Sequence, residues 1–168
     1  MENLVIRRAT SADAPSLIAF NQGIARETEN RELCPEILAP GVAGMLDHPE
    51  RGFYLVAEIN DPENERNGPQ ESTSVIACLM VTYEWSDWRN GMIWWIQSVY
   101  VQAPHRRKGI YKHLYQFVQQ LAEEARASGE QICGFRLYVE QDNTIAQSTY
   151  RSLGMDQTPY RIFEQLVV

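Results

Sequence analysis

At 168 residues, 44% of them hydrophobic and 22% charged, the chain has the length of one domain (1–168) and the composition of a globular protein able to bury a core. Its net charge of −7 argues against a dedicated nucleic-acid binder, which would be basic overall. No apolar run is long enough to span a membrane, no signal-peptide pattern follows Met1, and Cys34, Cys78 and Cys133 have neither CxxC nor zinc-ligand spacing. The expectation is a cytoplasmic protein with free thiols, no metal site, and neither nucleic acid nor membrane as a partner.

Leu4 to Arg8 reads as a first strand. Thr10 or Ser11 can cap a helix whose apolar face is Leu17, Ile18, Phe20 and Ile24, ending near Thr28. A mostly acidic stretch, Glu27 to Glu32, follows. Pro35 suits the first turn of a second helix carrying Ile37, Leu38, Val42, Met45 and Leu46, with Pro40 and Gly41 as interruptions. Phe53 to Ile59 and Val75 to Tyr83 read as strands joined by a polar loop over 61–72. Trp94 to Val101 is aromatic and β-branched on both faces, as a central strand requires. Strict alternation puts Ile93, Trp95, Val99 and Val101 on one side and Trp94, Ile96 and Tyr100 on the other.

The chain then changes character. After Pro104 come Arg106, Arg107, Lys108 and Gly109, and from Ile110 a helical stripe runs through Leu114, Phe117, Val118, Leu121 and Ala125 toward Gly129. Ile132 to Val139 reads as a strand. Asp142 or Asn143 caps a short helix that Gly154 ends, and Tyr160 to Val167 reads as a last strand. The order β-α-α-β-β-β-α-β-α-β predicts an α+β fold, with a mixed, largely antiparallel sheet of about six to seven strands flanked by about four helices. The helix after the basic turn must make a parallel crossover.

A buried strand feeding a basic, Gly-containing turn that opens a helix is suited to phosphate, because unpaired N–H groups and the helix dipole point out of the helix start. Neither GxxxxGK followed by Ser or Thr nor GxGxxG is present, so it is neither a P-loop nor a dinucleotide turn. The competing reading is a solvated basic turn.

With these residues in view, the sequence resembles the GNAT-type N-acetyltransferases. Arg106-Arg107-Lys108-Gly109-Ile110-Tyr111 fits the family's acetyl-CoA turn, Q/R-x-x-G-x-G/A, with Tyr111 replacing the last small residue. Val99, Tyr100 and Val101 stand where the family's splayed strand meets pantetheine. Asn143, Tyr150 and Leu153-Gly154-Met155 match the later signature of Asn, Tyr seven residues on, then L-G-F/M.

The resemblance implies transfer of acetyl from acetyl-CoA to a primary amine by direct attack in a ternary complex, the acceptor being a small cationic amine. It implies that Val99, Tyr100 and Val101, the turn Arg106 to Tyr111, and Asn143 bind the cofactor. Tyr150 would assist the departing thiolate. The position that carries a catalytic Glu in some members is Trp95 here, which leaves Glu84 and Asp87 as the nearest candidates for a base. Glu27, Glu29, Trp85 and Trp95 would border the acceptor, through charge and cation–π attraction, with a solvated acidic loop and a Trp-rich core as the alternative. Other functions stay open: a non-catalytic acyl-CoA sensor, or a protein lysine or N-terminal acetyltransferase. A homodimer is also left open.

Overall fold

The computed structural model describes residues 4–60 and 73–167. The loop expected over 61–72 lies outside the described residues. The chain divides into two compact units, Met1–Leu137 and Tyr138–Val168. Among the described residues no helix is long and apolar enough to cross a membrane.

The first unit runs β1 (Leu4–Arg8), α1 (Ala14–Glu29), α2 (Pro35–Leu46), β2 (Gly52–Asn60), β3 (Thr73–Ser86), β4 (Gly91–Val101), α3 (Ile110–Ala127) and β5 (Ile132–Arg136). The strands form one sheet in sequence order. Neighbours are antiparallel except β4 and β5, which are parallel through the α3 crossover. Five strands, not six to seven, are therefore paired among the described residues.

Start signals in the sequence act where expected. Thr10 and Asp13 form a capping box before α1, with Thr10 N–H donating to Asp13 Oδ2 at 2.7 Å. Pro35 opens α2, and Pro40 sits inside that helix without breaking it. Gly129, at φ 103°, follows α3 in the left-handed conformation that ends a helix.

One face of the sheet packs under α1 and α2: Leu17, Phe20 and Val42 meet Tyr54, Val56 and Cys78. Alternation sends Phe53 and Leu55 to the other face, which α3 covers with the buried Ile110, Leu114 and Val118. An aromatic cluster occupies that second face. Trp94 lies 5.4 Å from Phe53, 5.9 Å from Tyr83 and 6.4 Å from Phe135, and Phe135 lies 5.9 Å from Tyr115 of α3.

The expected facing of β4 is corrected in one respect. Met80 pairs with Gln97 but Cys78 pairs with Tyr100, so β4 carries one residue more than β3 over this stretch. The extra residue is a β-bulge at Ser98 and Val99, with Ser98 in the left-handed region at φ 47°. A one-residue insertion exchanges faces. Tyr100 therefore stacks on Phe20 of α1, centroids 5.2 Å apart, while Trp94 packs on the α3 face.

In the second unit, α4 (Thr144–Ser152) is capped by Asn143 and ends at Gly154, φ 86°. Tyr160 to Val167 forms no strand. Its side chains are open to solvent, Phe163 to 93% and Val167 to 97%. Strand-like composition alone makes no ladder without a partner edge.

Candidate functional site

The site begins where β4 and β5 part. Their last pair is Trp95 with Arg136, and β4 continues to Val101. Past that pair, β4 has no ladder partner on its β5 side among the described residues, so backbone groups there can meet an extended ligand. The bulge falls within this stretch. Its carbonyl is held: the buried Cys78 thiol donates to Ser98 O at 3.3 Å, and burial pushes that thiol up to about 12.

Val101 leads into the basic turn. Arg107 is left-handed at φ 62°, and Gly109 at φ 76° precedes the first residue of α3. A β-carbon on Gly109 would meet nothing within 4 Å, so open space borders the N-terminus of α3. Arg107 and Lys108 are exposed beside it. The Tyr111 ring stacks on Tyr115 one turn along, centroids 6.3 Å apart and planes 19° apart, which accounts for a bulky residue where a small one is usual.

Arg106 does not join its two neighbours. Its Nη2 donates to Glu27 Oε2 at 2.6 Å, its Nε donates to Val101 O at 2.8 Å, and its guanidinium lies 5.4 Å from the Tyr100 ring centroid. Tyr100 donates its hydroxyl to the other Glu27 oxygen at 2.9 Å. Burial, then Glu27, pushes the Tyr100 phenol above its ordinary range. Glu27, expected from the resemblance to border the acceptor, thus has its oxygens engaged by Tyr100 and Arg106. Glu29 pairs with Arg31 at 3.2 Å on the surface.

A second cluster lies on the face of Tyr100, further back along β4. The Trp95 indole N–H donates to Glu84 Oε2, and Arg136 donates to Glu84 Oε1 at 2.5 Å. Gln97, between this cluster and the bulge, donates to Thr82 Oγ1 at 2.5 Å. Trp95 and Glu84, predicted separately, are therefore in contact. Trp85, on the opposite pleat from Glu84, is 59% exposed near the hairpin end. Ser98, Gln97 and Arg136 carry no signal in the sequence, because each matters through a register or a packing contact.

In the second unit, Asn143 Oδ1 accepts from Ala146 N–H at 3.0 Å, the helix-capping alternative. Tyr150 lies on α4, and burial pushes its phenol up. Met155 N–H donates to Tyr150 O at 3.1 Å, closing the helix at Gly154.

The profile described as "Acetyltransferase (GNAT) family" matches residues 19–155. A search of curated proteins finds no match. Among solved structures, the chain is 38% identical to a possible acetyltransferase from Clostridium difficile 630, with 99% of each chain covered and a TM-score of 0.81. It shares its fold with an aminoglycoside acetyltransferase from an uncultured soil metagenomic sample, in complex with sisomicin: 16% identity, 99% of this chain and 98% of that one, TM-score 0.72. A predicted acetyltransferase with acetyl-CoA from Clostridium acetobutylicum has 16% identity, 96% coverage of each chain and a TM-score of 0.68. A parted β4–β5 pair, a bulge and a basic helix-opening turn, found in a chain that matches in both sequence profile and structure, lead to one conclusion: the protein belongs to the GNAT acetyltransferase family.

Proposed function

We propose that the protein moves acetyl from acetyl-CoA to a primary amine of a small cationic acceptor, by direct attack in a ternary complex. Acetyl-CoA is the family's acyl donor, and the residues present fit it. The observation that carries the reading is the continuous run from the edge of β4 beyond its last pair with β5, through the bulge, to the open N-terminus of α3 beside Arg107 and Lys108. Backbone groups of Val99 and Val101 suit an amide-rich arm laid along the strand. N–H groups of the first turn of α3 suit a diphosphate. When bound, acetyl-CoA supplies an activated thioester carbonyl. The backbone N–H at the bulge is suited to receive charge developing on that carbonyl oxygen.

The amine must lose a proton before attack, since a lysine-like amine has a pKa of about 10.4. Glu84 is the carboxylate on the correct sheet face, next to the position that holds a Glu in other members. Because Glu84 also accepts from Trp95 and Arg136, its role is to receive the proton through an intervening water. The proton for the leaving thiolate is assigned to Tyr150 on the strength of the motif spacing. Three free cysteines, Cys34 and Cys133 exposed and Cys78 buried, suit a cytoplasmic setting.

The same tie of Glu84 to two donors favours a second reading, an acyl-CoA-binding module without turnover. Thiol release from acetyl-CoA separates the two. The assay compares no amine with a panel containing a polyamine, an aminoglycoside and a lysine peptide. Turnover with polyamine or aminoglycoside is expected; tight acetyl-CoA binding with no release for any amine overturns the enzyme reading.

A further inference from the structure

We propose that Glu27 is a positioning residue that locks the end of β4 and the head of the basic turn to α1, and that it does not bind the acceptor amine. The inference rests on the acetyl-CoA reading of the turn. Glu27 spends each oxygen on a different element: Oε1 takes the Tyr100 hydroxyl at 2.9 Å and Oε2 takes Arg106 at 2.6 Å. Arg106 is held a second time by Val101 O at 2.8 Å. The Arg106 guanidinium already balances the charge of this carboxylate, which leaves little net attraction for an ammonium group.

The position of the lock explains its use. Two non-glycine residues of this region adopt the disfavoured left-handed backbone, Ser98 at φ 47° in the bulge and Arg107 at φ 62° in the turn. Tyr100 stands two residues after the first, and Arg106 immediately before the second. Backbone conformations of this kind persist only where the surroundings hold them. The Glu27 carboxylate ties together the side chains beside both, so the strand-end and turn N–H groups are kept in register for one extended ligand. Gly23 makes room: a β-carbon there would lie 2.8 Å from Tyr100 Cζ, so the ring seats against α1 one turn before Glu27. The Arg106 charge is neutralised by Glu27, which leaves attraction for phosphate to Arg107 and Lys108.

The test is a double-mutant cycle read by calorimetry with acetyl-CoA alone, on Glu27→Gln, Arg106→Gln and the pair. Tyr100→Phe serves as a milder variant that deletes one hydroxyl. The pair is solvent-exposed, so Glu27→Gln should weaken acetyl-CoA binding by about three- to tenfold. The double variant should bind no worse than the weaker single one. The KM of the panel amine with highest turnover should stay within about twofold of the parental value, a split that a general loss of structure would not produce. Additive losses would show that Arg106 meets the phosphates on its own and overturn the lock. So would unchanged acetyl-CoA affinity in Glu27→Gln with a raised amine KM. A parent that fails to bind acetyl-CoA overturns the functional reading itself, which keeps the two failures distinct.

Discussion

Gly23 and Tyr100 are in direct apposition: a β-carbon built on Gly23 would stand 2.8 Å from Tyr100 Cζ and 2.9 Å from its hydroxyl oxygen. Alanine normally stabilises a helix interior relative to glycine by about 1 kcal/mol. Here it would push the ring away from Phe20 and Glu27, and overpacking of this kind costs about 1–3 kcal/mol. Gly23→Ala should therefore be neutral to destabilising by up to about 2 kcal/mol, read as a lowered urea midpoint with an unchanged m-value. A raised midpoint would mean that the ring gives way freely.

Acetyl-CoA affinity should fall with salt, because Arg107 and Lys108 flank the N-terminus of α3 and act on an anion within about a Debye length, ~8 Å at physiological ionic strength. Replacing both by Ala should flatten the dependence of Kd on salt. Arg106→Gln should lower affinity while keeping most of the slope, since its charge is already spent on Glu27. An unaltered slope in the double Ala variant would move the phosphate site away from this turn.

Tyr150→Phe keeps the ring and removes the hydroxyl. Burial raises the phenol, so it is protonated at neutral pH, as a proton donor must be, but it is also a weaker acid than a free tyrosine. Within the usual range of about 10²–10⁴-fold for general acid assistance, the expected loss is at the lower end, about 10²-fold in kcat with acetyl-CoA affinity nearly unchanged. The deficit should shrink as pH approaches about 8.5, where a thiolate leaves unaided. Parental kcat at all pH values would return Tyr150 to a packing role.

Asp13 couples stability to pH. Burial alone would push its carboxyl up, but the Arg7 guanidinium, at 2.8 and 2.9 Å, and the Thr10 backbone N–H and hydroxyl outweigh that and hold it below the usual range. A folded-state pKa below the unfolded one gives stability that is fully present above the unfolded value, about 3.9, and lost as pH falls through the folded value. Asp13→Asn should cost about 1–3 kcal/mol at pH 7. The gap to the parent should close on acidification below about pH 4, followed by urea unfolding at several pH values. A gap that is constant with pH would show that the carboxylate charge is not what stabilises this corner.

Much of the fold was legible because its signals are local. Helical periodicity placed α1 and α3, Pro35 and the pair Asp142-Asn143 marked helix starts, and Gly129 and Gly154 marked helix ends. The basic turn was legible for the same reason: a helix start exposes N–H groups whatever surrounds it. Tyr160 to Val167 shows the limit, since β-prone residues report a preference and a strand needs an edge to pair with.

The sequence by itself therefore determined the element order from β1 to α4, the family resemblance and the place of the basic turn that opens α3. Tertiary structure alone decided the facing of β4, because a bulge at a serine announces itself by no residue type and exchanges Tyr100 to the α1 side. It also decided the partners of four charged residues. Glu27 and Arg106 are separated by 79 positions, and Glu84 and Arg136 by 52. A carboxylate read along the chain looks available for an amine; whether it is depends on which cation the fold brings to it, and attraction between charges acts through space, not along the sequence.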